Sequence, residues 1–358
     1  MSHYEERLQN DLDAIRGKVD AVGKDVITAI QRACRSLLTF DRAEAAETII
    51  GDMPINRAIR DIDKDCHFFV ARHLPSAGIL RFVSSVLRLT IAIERIGDYA
   101  AKIAREVVQL TGPVSDTVAR DVELMSEQSV GMLKQSLRSF IEGDADHARG
   151  TMGMAAQVDS SFERVWADLL REGEEKSASM ADLFALLTVF RRLERISDQA
   201  KNICEETVFA VTGQTKEPKT YRILFVDGPN SCWSPLAEAV AAKAFPNSGA
   251  YASAGWEPAS AIDPALEAFL EAKGIPSRHN RPVPIPTTHD ELDDYHVIVN
   301  LSSGLRDHLA EKPFKTVLLN WDLAPEGDVT EEQLDAVHKE IAFKTRELME
   351  KLRGQDAD

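Results

Sequence analysis

At 358 residues the chain exceeds one typical hydrophobic core, so two or three domains are expected. An apolar fraction of 44% and a charged fraction of 28% describe an ordinary globular protein, and no apolar run is long enough to suggest a transmembrane segment. A formal charge of −16 works against binding the phosphate backbone of nucleic acid, which leaves cations and basic protein surfaces as better-matched partners.

Residues 1–20 interleave acids with bases and lack the apolar stretch of a secretory signal, so a cytoplasmic location is expected. From residue 1 to about 210 apolar side chains recur at helical spacing, as in Val19, Val22, Val26, Ile27, Ile30, Cys34, Leu37 and Leu38. Breakers near Pro54, Pro75, Gly112–Pro113, Gly143 and Gly173 divide this half into about six helices. An internal repeat runs through it. IERIGDYAAKIARE (93–106) is echoed by LERISDQAKNICEE (193–206), which implies two similar three-helix units, about 1–110 and 111–210. The stretch 211–220 is polar, carries Gly and Pro, has no apolar period and reads as a linker. Beyond it, over 221–358, short apolar runs alternate with helical stretches. RILFV (222–226), YASAG (251–255), HVIVNL (296–301) and KTVLLNW (315–321) read as strands. Helices are expected from Pro235, Pro264 and Thr330. That alternation predicts a four-stranded parallel sheet, doubly wound with helices on both faces. Cys34, Cys66, Cys204 and Cys232 have no paired spacing and read as reduced thiols.

In each helical repeat two carboxylates lie four residues apart, Glu94 with Asp98 and Glu194 with Asp198. Residues so spaced share one helix face, so each pair can present hard oxygen donors to one cation such as iron, manganese or magnesium. Asp63 and Asp159 precede the two pairs at similar distances and are candidate supporting ligands. Asn202, eight residues past Glu194, adds a carbonyl oxygen, whereas the equivalent Lys102 adds an ammonium that competes with a cation. The alternative reading of each stretch is a solvated helix face on which Arg95 or Arg195 pairs with the acids.

Residues 1–210 resemble the PhoU family of phosphate-signalling regulators. The resemblance rests on the duplicated signatures Glu94-Arg95-Ile96-Gly97-Asp98 and Glu194-Arg195-Ile196-Ser197-Asp198, and on IIGDMPIN (49–56), which is similar to the family's second-helix entry. It implies a pair of three-helix bundles, a metal ion at the signature carboxylates, dimerisation, and a relay between the ATPase of a phosphate ABC transporter and a sensor histidine kinase. Two departures stand out: Gly78-Ile79-Leu80-Arg81 lacks the family's acid, and Ser197 replaces glycine in the second signature.

FVDGPNSCWSPLAEAV (225–240) sits where a strand turns into a helix, the place where α/β folds bind phosphate. This segment resembles the active-site loop of the low-molecular-weight tyrosine phosphatases and related arsenate reductases, on the match of Asn230, Ser231, Cys232, Ser234 and Pro235. The resemblance implies a nucleophilic cysteine where this chain has Asp227, an arginine where it has Trp233, and an Asp-Pro general acid where it has Ala324-Pro325, with Asp322 nearby. Without a thiolate and a charge-neutralising guanidinium the phosphatase chemistry has no nucleophile and no electrostatic support. The retained Asn230, Ser231 and Ser234 are expected to keep the loop's shape and to cap the following helix. The sequence therefore predicts a phosphate-signalling regulator carrying a non-catalytic phosphatase-like module. The alternative is a phosphatase or arsenate-reductase-type enzyme that uses Asp227 or Cys232 in a degenerate loop.

Overall fold

The computed structural model describes residues 3–175, 179–215, 219–278, 280–286, 288, 291–292, 294–309, 316–325, 327 and 329–354. The chain divides into two compact units, Met1–Lys216 and Glu217–Asp358. Residues 216–218 of the linker predicted from sequence lie outside the described residues.

The first unit is all helical among the described residues. Its helices are α1 (His3–Leu38), α2 (Arg42–His73), α3 (Ala77–Gln109), α4 (Asp116–Glu142), α5 (Ala145–Met152), α6 (Ala155–Glu174) and α7 (Met180–Thr212). Helix α1 buries Leu12, Ile15, Val19, Val22, Val26 and Ile30, a stripe three or four residues apart that faces α2 and α3. Each such side chain taken from water contributes about 1.5–3 kcal/mol. The helix ends carry the expected stops. Asp41 caps α2 by accepting from the backbone N–H groups of Ala43 and Glu44, and Gly143 and Gly213 end α4 and α7 in the left-handed region.

Two features differ from the sequence reading. Pro54, read as a turn, lies inside α2. A proline there removes one backbone donor and crowds the carbonyl of Ile50, but both Pro54 and Ile50 are exposed, on a face where solvent can take the place of the lost donor. The middle helix of the second repeat is also split at Gly153–Met154 into α5 and α6, which makes seven helices. α1–α3 pack together, as do α4–α7, and α3 and α7 form the most extensive helix pair. One continuous apolar core runs through both repeats.

In the second unit β1 (Tyr221–Asp227), β2 (Gly249–Gly255), β3 (Val297–Asn300) and β4 (Val317–Asn320) form a parallel sheet in the order β2-β1-β3-β4. Four helices accompany them among the described residues: α8 (Trp233–Ala244), α9 (Pro264–Ala272), α10 (Leu305–His308) and α11 (Glu331–Arg353). The central strands are buried on both faces. Ile223, Phe225, Val297 and Val299 enter one core with α8, α9 and α11, while Leu224, Val226 and Ile298 enter another with Ile285, Leu292 and Leu305. Because β1 lies between β2 and β3, its C-terminal end is a topological switch point. Chemistry-bearing side chains collect at such a crevice, and here the segment from Asp227 to Ser234 occupies it.

Candidate functional site

The loop from Asp227 to the start of α8 is shaped from outside by the segment that follows β2. The carbonyls of Gly228, Pro229 and Ser231 accept hydrogen bonds from the backbone N–H groups of Glu257, Ala259 and Asp263, each at 2.9 Å. Carbonyls drawn outward leave N–H groups on the inner side. Gly255 makes this close approach possible, since a Cβ there would stand 2.5 Å from the Gly228 carbonyl oxygen and 2.9 Å from the Asn230 nitrogen. Asn230 takes a left-handed backbone at φ 48° to close the turn. Its side chain then locks the turn, donating through Nδ2 to Ser234 Oγ at 2.8 Å and accepting at Oδ1 from the Val283 N–H at 2.7 Å.

The inner N–H groups meet the side chain of Asp227. Its Oδ1 accepts from the Asn230 N–H at 2.6 Å and its Oδ2 from the Ser234 N–H at 2.9 Å, and the carboxylate has no exposed surface. Burial pushes its pKa above the ordinary carboxylate value, opposed by bonds from the Ser234 and Asn230 backbone, the Ser234 hydroxyl and the Trp233 backbone. Cys232, the residue immediately before α8, makes no side-chain cap. The cap comes instead from Asp227, upstream of the helix, and not from Asn230, Ser231 or Ser234 as the sequence suggested.

Two further loop positions are buried among apolar side chains. Trp233, at the position of the family's arginine, is 6% exposed and belongs to the apolar core. Cys232 is also buried, and burial raises its thiol pKa, with Asp263 and Asp227 adding to the shift, which disfavours the thiolate. Pro229 has no N–H to contribute. Asp322 is exposed, in a left-handed backbone at φ 48°.

In the helical unit the candidate metal ligands sit in two places. Glu194 is half-buried, its Oε2 has no hydrogen-bond partner, and burial raises its pKa, with Arg195 opposing and Asp198 and Asp159 adding to the rise. Asp198 pairs with Arg195 at 3.0 Å. In the first repeat Glu94 is exposed, Asp63 accepts from the Thr90 hydroxyl at 2.9 Å, and Asp98 lies 3.8 Å from the Lys102 ammonium. Asn202 is exposed and donates to Gln199 at 3.4 Å. Among the described residues no three His, Cys, Asp or Glu side chains gather closely enough to hold a metal ion.

Sequence reasoning missed Asp52 and Asn56 on α2. Asp52 Oδ1 and Asn56 Oδ1 are both buried without a hydrogen-bond partner, and the Asn56 amide donates to Asp52 Oδ2 at 2.8 Å. Burial raises the Asp52 pKa and the facing Asp98 raises it further. A Cβ at Gly97 would stand 3.3 Å from Asp52 Oδ1, so the glycine of the first signature makes room for this carboxylate. The signal was present in IIGDMPIN, where Asp52 and Asn56 stand one helical turn apart.

Replacing Asn230 by alanine removes the residue that favours the left-handed turn, the bond to Ser234 and the acceptor for the Val283 N–H. We expect Asn230→Ala to destabilise the second unit by about 2–4 kcal/mol. A neighbouring Ser231→Ala exchange should change it by less than about 1 kcal/mol. Denaturant unfolding followed on the full chain checks both.

The comparisons with known proteins agree with this architecture. Residues 19–107 and 122–207 each match the PhoU domain, and residues 222–356 match the low molecular weight phosphotyrosine protein phosphatase domain. A phosphate-specific transport system accessory protein PhoU homolog of Pseudomonas putida is 30% identical over 212 residues, 59% of this chain and 83% of that protein. The Escherichia coli (strain K12) accessory protein PhoU is 28% identical over 212 residues and 88% of its length. The crystal structure of PhoU from Pseudomonas aeruginosa superposes with a TM-score of 0.55 at 30% identity, covering 57% of this chain and 99% of that one. With two PhoU domains spanning nearly the whole of such relatives and a phosphatase-type domain after them, the chain belongs to the PhoU family.

Proposed function

We propose that this protein is a cytoplasmic accessory regulator of phosphate-specific transport that restrains the phosphate-starvation response when phosphate is plentiful. In this reading it works as a homodimer, and the helical unit contacts the transporter ATPase and a sensor histidine kinase. The observation that carries the reading is the paired PhoU domain, with its signature standing once in α3 and once in α7. Among the described residues no helix is long and apolar enough to cross a membrane. The test is deletion of the gene. A starvation-responsive reporter in high phosphate should then rise, and an unchanged reporter in a strain with no other PhoU-like gene would remove the role.

A metal ion at the helical carboxylates is part of the proposal, and the donors fit it in part. Two buried unpartnered oxygens of Asp52 and Asn56 beside Asp98, and one of Glu194 beside Asp198 and Asp159, are hard oxygen donors without a hydrogen to satisfy them. A bound cation would supply positive charge that relieves the repulsion among these carboxylates. Lys102 near Asp98 and Arg195 on Asp198 supply some of that charge already. Elemental analysis of protein from metal-supplemented medium should find bound transition metal that falls in Glu194→Ala/Asp198→Ala and in Asp52→Ala. Equal content in all three proteins sinks the idea.

The phosphatase-type unit is proposed to be a binding module without turnover, since Asp227 is buried with both oxygens engaged and Trp233 faces the core. The purified chain should hydrolyse p-nitrophenyl phosphate no faster than its Asp227→Asn variant, with or without divalent metal. Robust turnover abolished by Asp227→Asn would identify the carboxylate as a working nucleophile.

A further inference from the structure

The loop at the switch point has the form of an anion cradle. Three of its carbonyls are bonded outward, to Glu257, Ala259 and Asp263, and the backbone N–H groups of Asn230 and Ser234 point to the inside. Backbone N–H groups converging at the start of a helix make a concave electropositive nest for a charged oxygen group. The group in the nest is already a carboxylate, tethered to the last residue of β1. Its two oxygens take both of these N–H groups, which are then not free for an incoming oxyanion, and the Ser234 hydroxyl, held from its other side by Asn230, bonds it as well. The indole of Trp256 lies over Gly228 and Gly304, each 3.7 Å from it at the Cβ position, and stacks on His308 at 5.4 Å between ring centroids, so the loop is roofed on this side.

We propose that Asp227 is a built-in substitute for the phosphate oxyanion, which keeps the second unit in a filled-loop state and makes it indifferent to free phosphate. The change from a thiol to a carboxylate then supplies the ligand from within. A second anion entering beside a buried carboxylate meets like charge where solvent screening is weak. Any response of the whole chain to phosphate therefore belongs to the helical unit. This inference rests on the reading of the second unit as a module without turnover, and the two fail separately.

The test is an NMR titration of the full-length chain with tungstate, a tetrahedral dianion, followed at the backbone amide resonances of Asn230 and Ser234, so that binding elsewhere is not counted. In the native chain these resonances should stay fixed at millimolar tungstate. In Asp227→Ser, which removes the carboxylate and leaves a small hydroxyl, they should shift and saturate with affinity at least about tenfold above any native binding. If Asp227→Ser does not fold, Asp227→Asn, which keeps the size and removes the charge, should move in the same direction. Saturable shifts in the native chain overturn the proposal and need no variant. Folded variants whose amides do not respond overturn it too. Aryl-phosphate turnover would instead count against the non-catalytic reading, whatever the titration shows.

Discussion

A carboxylate taken out of water has to be held by donors or give up its charge, and the loop after β1 is organised around that demand. Asp227 has no exposed surface, and the turn at Asn230, the start of α8 and the segment after β2 all serve to bring N–H groups to it. The left-handed backbone of Asn230 is part of the arrangement, since it aims that residue's own N–H at Oδ1. Helix α8 gains the first-turn partner that Cys232 does not provide. One side chain thus fixes a helix entry, a loop and, through the 255–263 segment, the contact of the loop with β2.

The helical unit shows the opposite situation. Asp52, Asn56 and Glu194 keep buried oxygens without partners, and at Asp52 and Glu194 burial together with facing acids disfavours the charged form. An arrangement that leaves oxygens unsatisfied costs stability unless something else supplies positive charge. The loop of the second unit supplies its buried carboxylate with N–H partners, while these oxygens of the first unit have none.

Much of this was legible in the sequence, because the relevant signals are local. The 3.6-residue stripe of α1, the repeated signature and the four apolar runs of the sheet are all properties of contiguous residues. Pro54 misled because its effect depends on exposure: on an exposed face solvent can take the place of the lost donor and the helix continues. The split at Gly153 was missed because its flanks keep helical periodicity. Asp52 and Asn56 could not be ranked above Asp63, since what distinguishes them is the gap left by Gly97 on another helix. Asp227 was visible as a departure from a catalytic pattern. Its role as the helix cap was not, because capping is ordinarily sought in the residue next to the helix and here the donor and acceptor are seven positions apart.

The continuous core of the first unit has a bearing on where a change in it is felt. Its two repeats look like duplicated modules, yet α3 of one is packed most extensively against α7 of the other, and apolar side chains of both enter one core. Either half alone would expose the apolar side chains that its sibling now covers, so neither is an independent folding unit. A change at that seam therefore reaches both signatures at once, since α3 carries one and α7 the other.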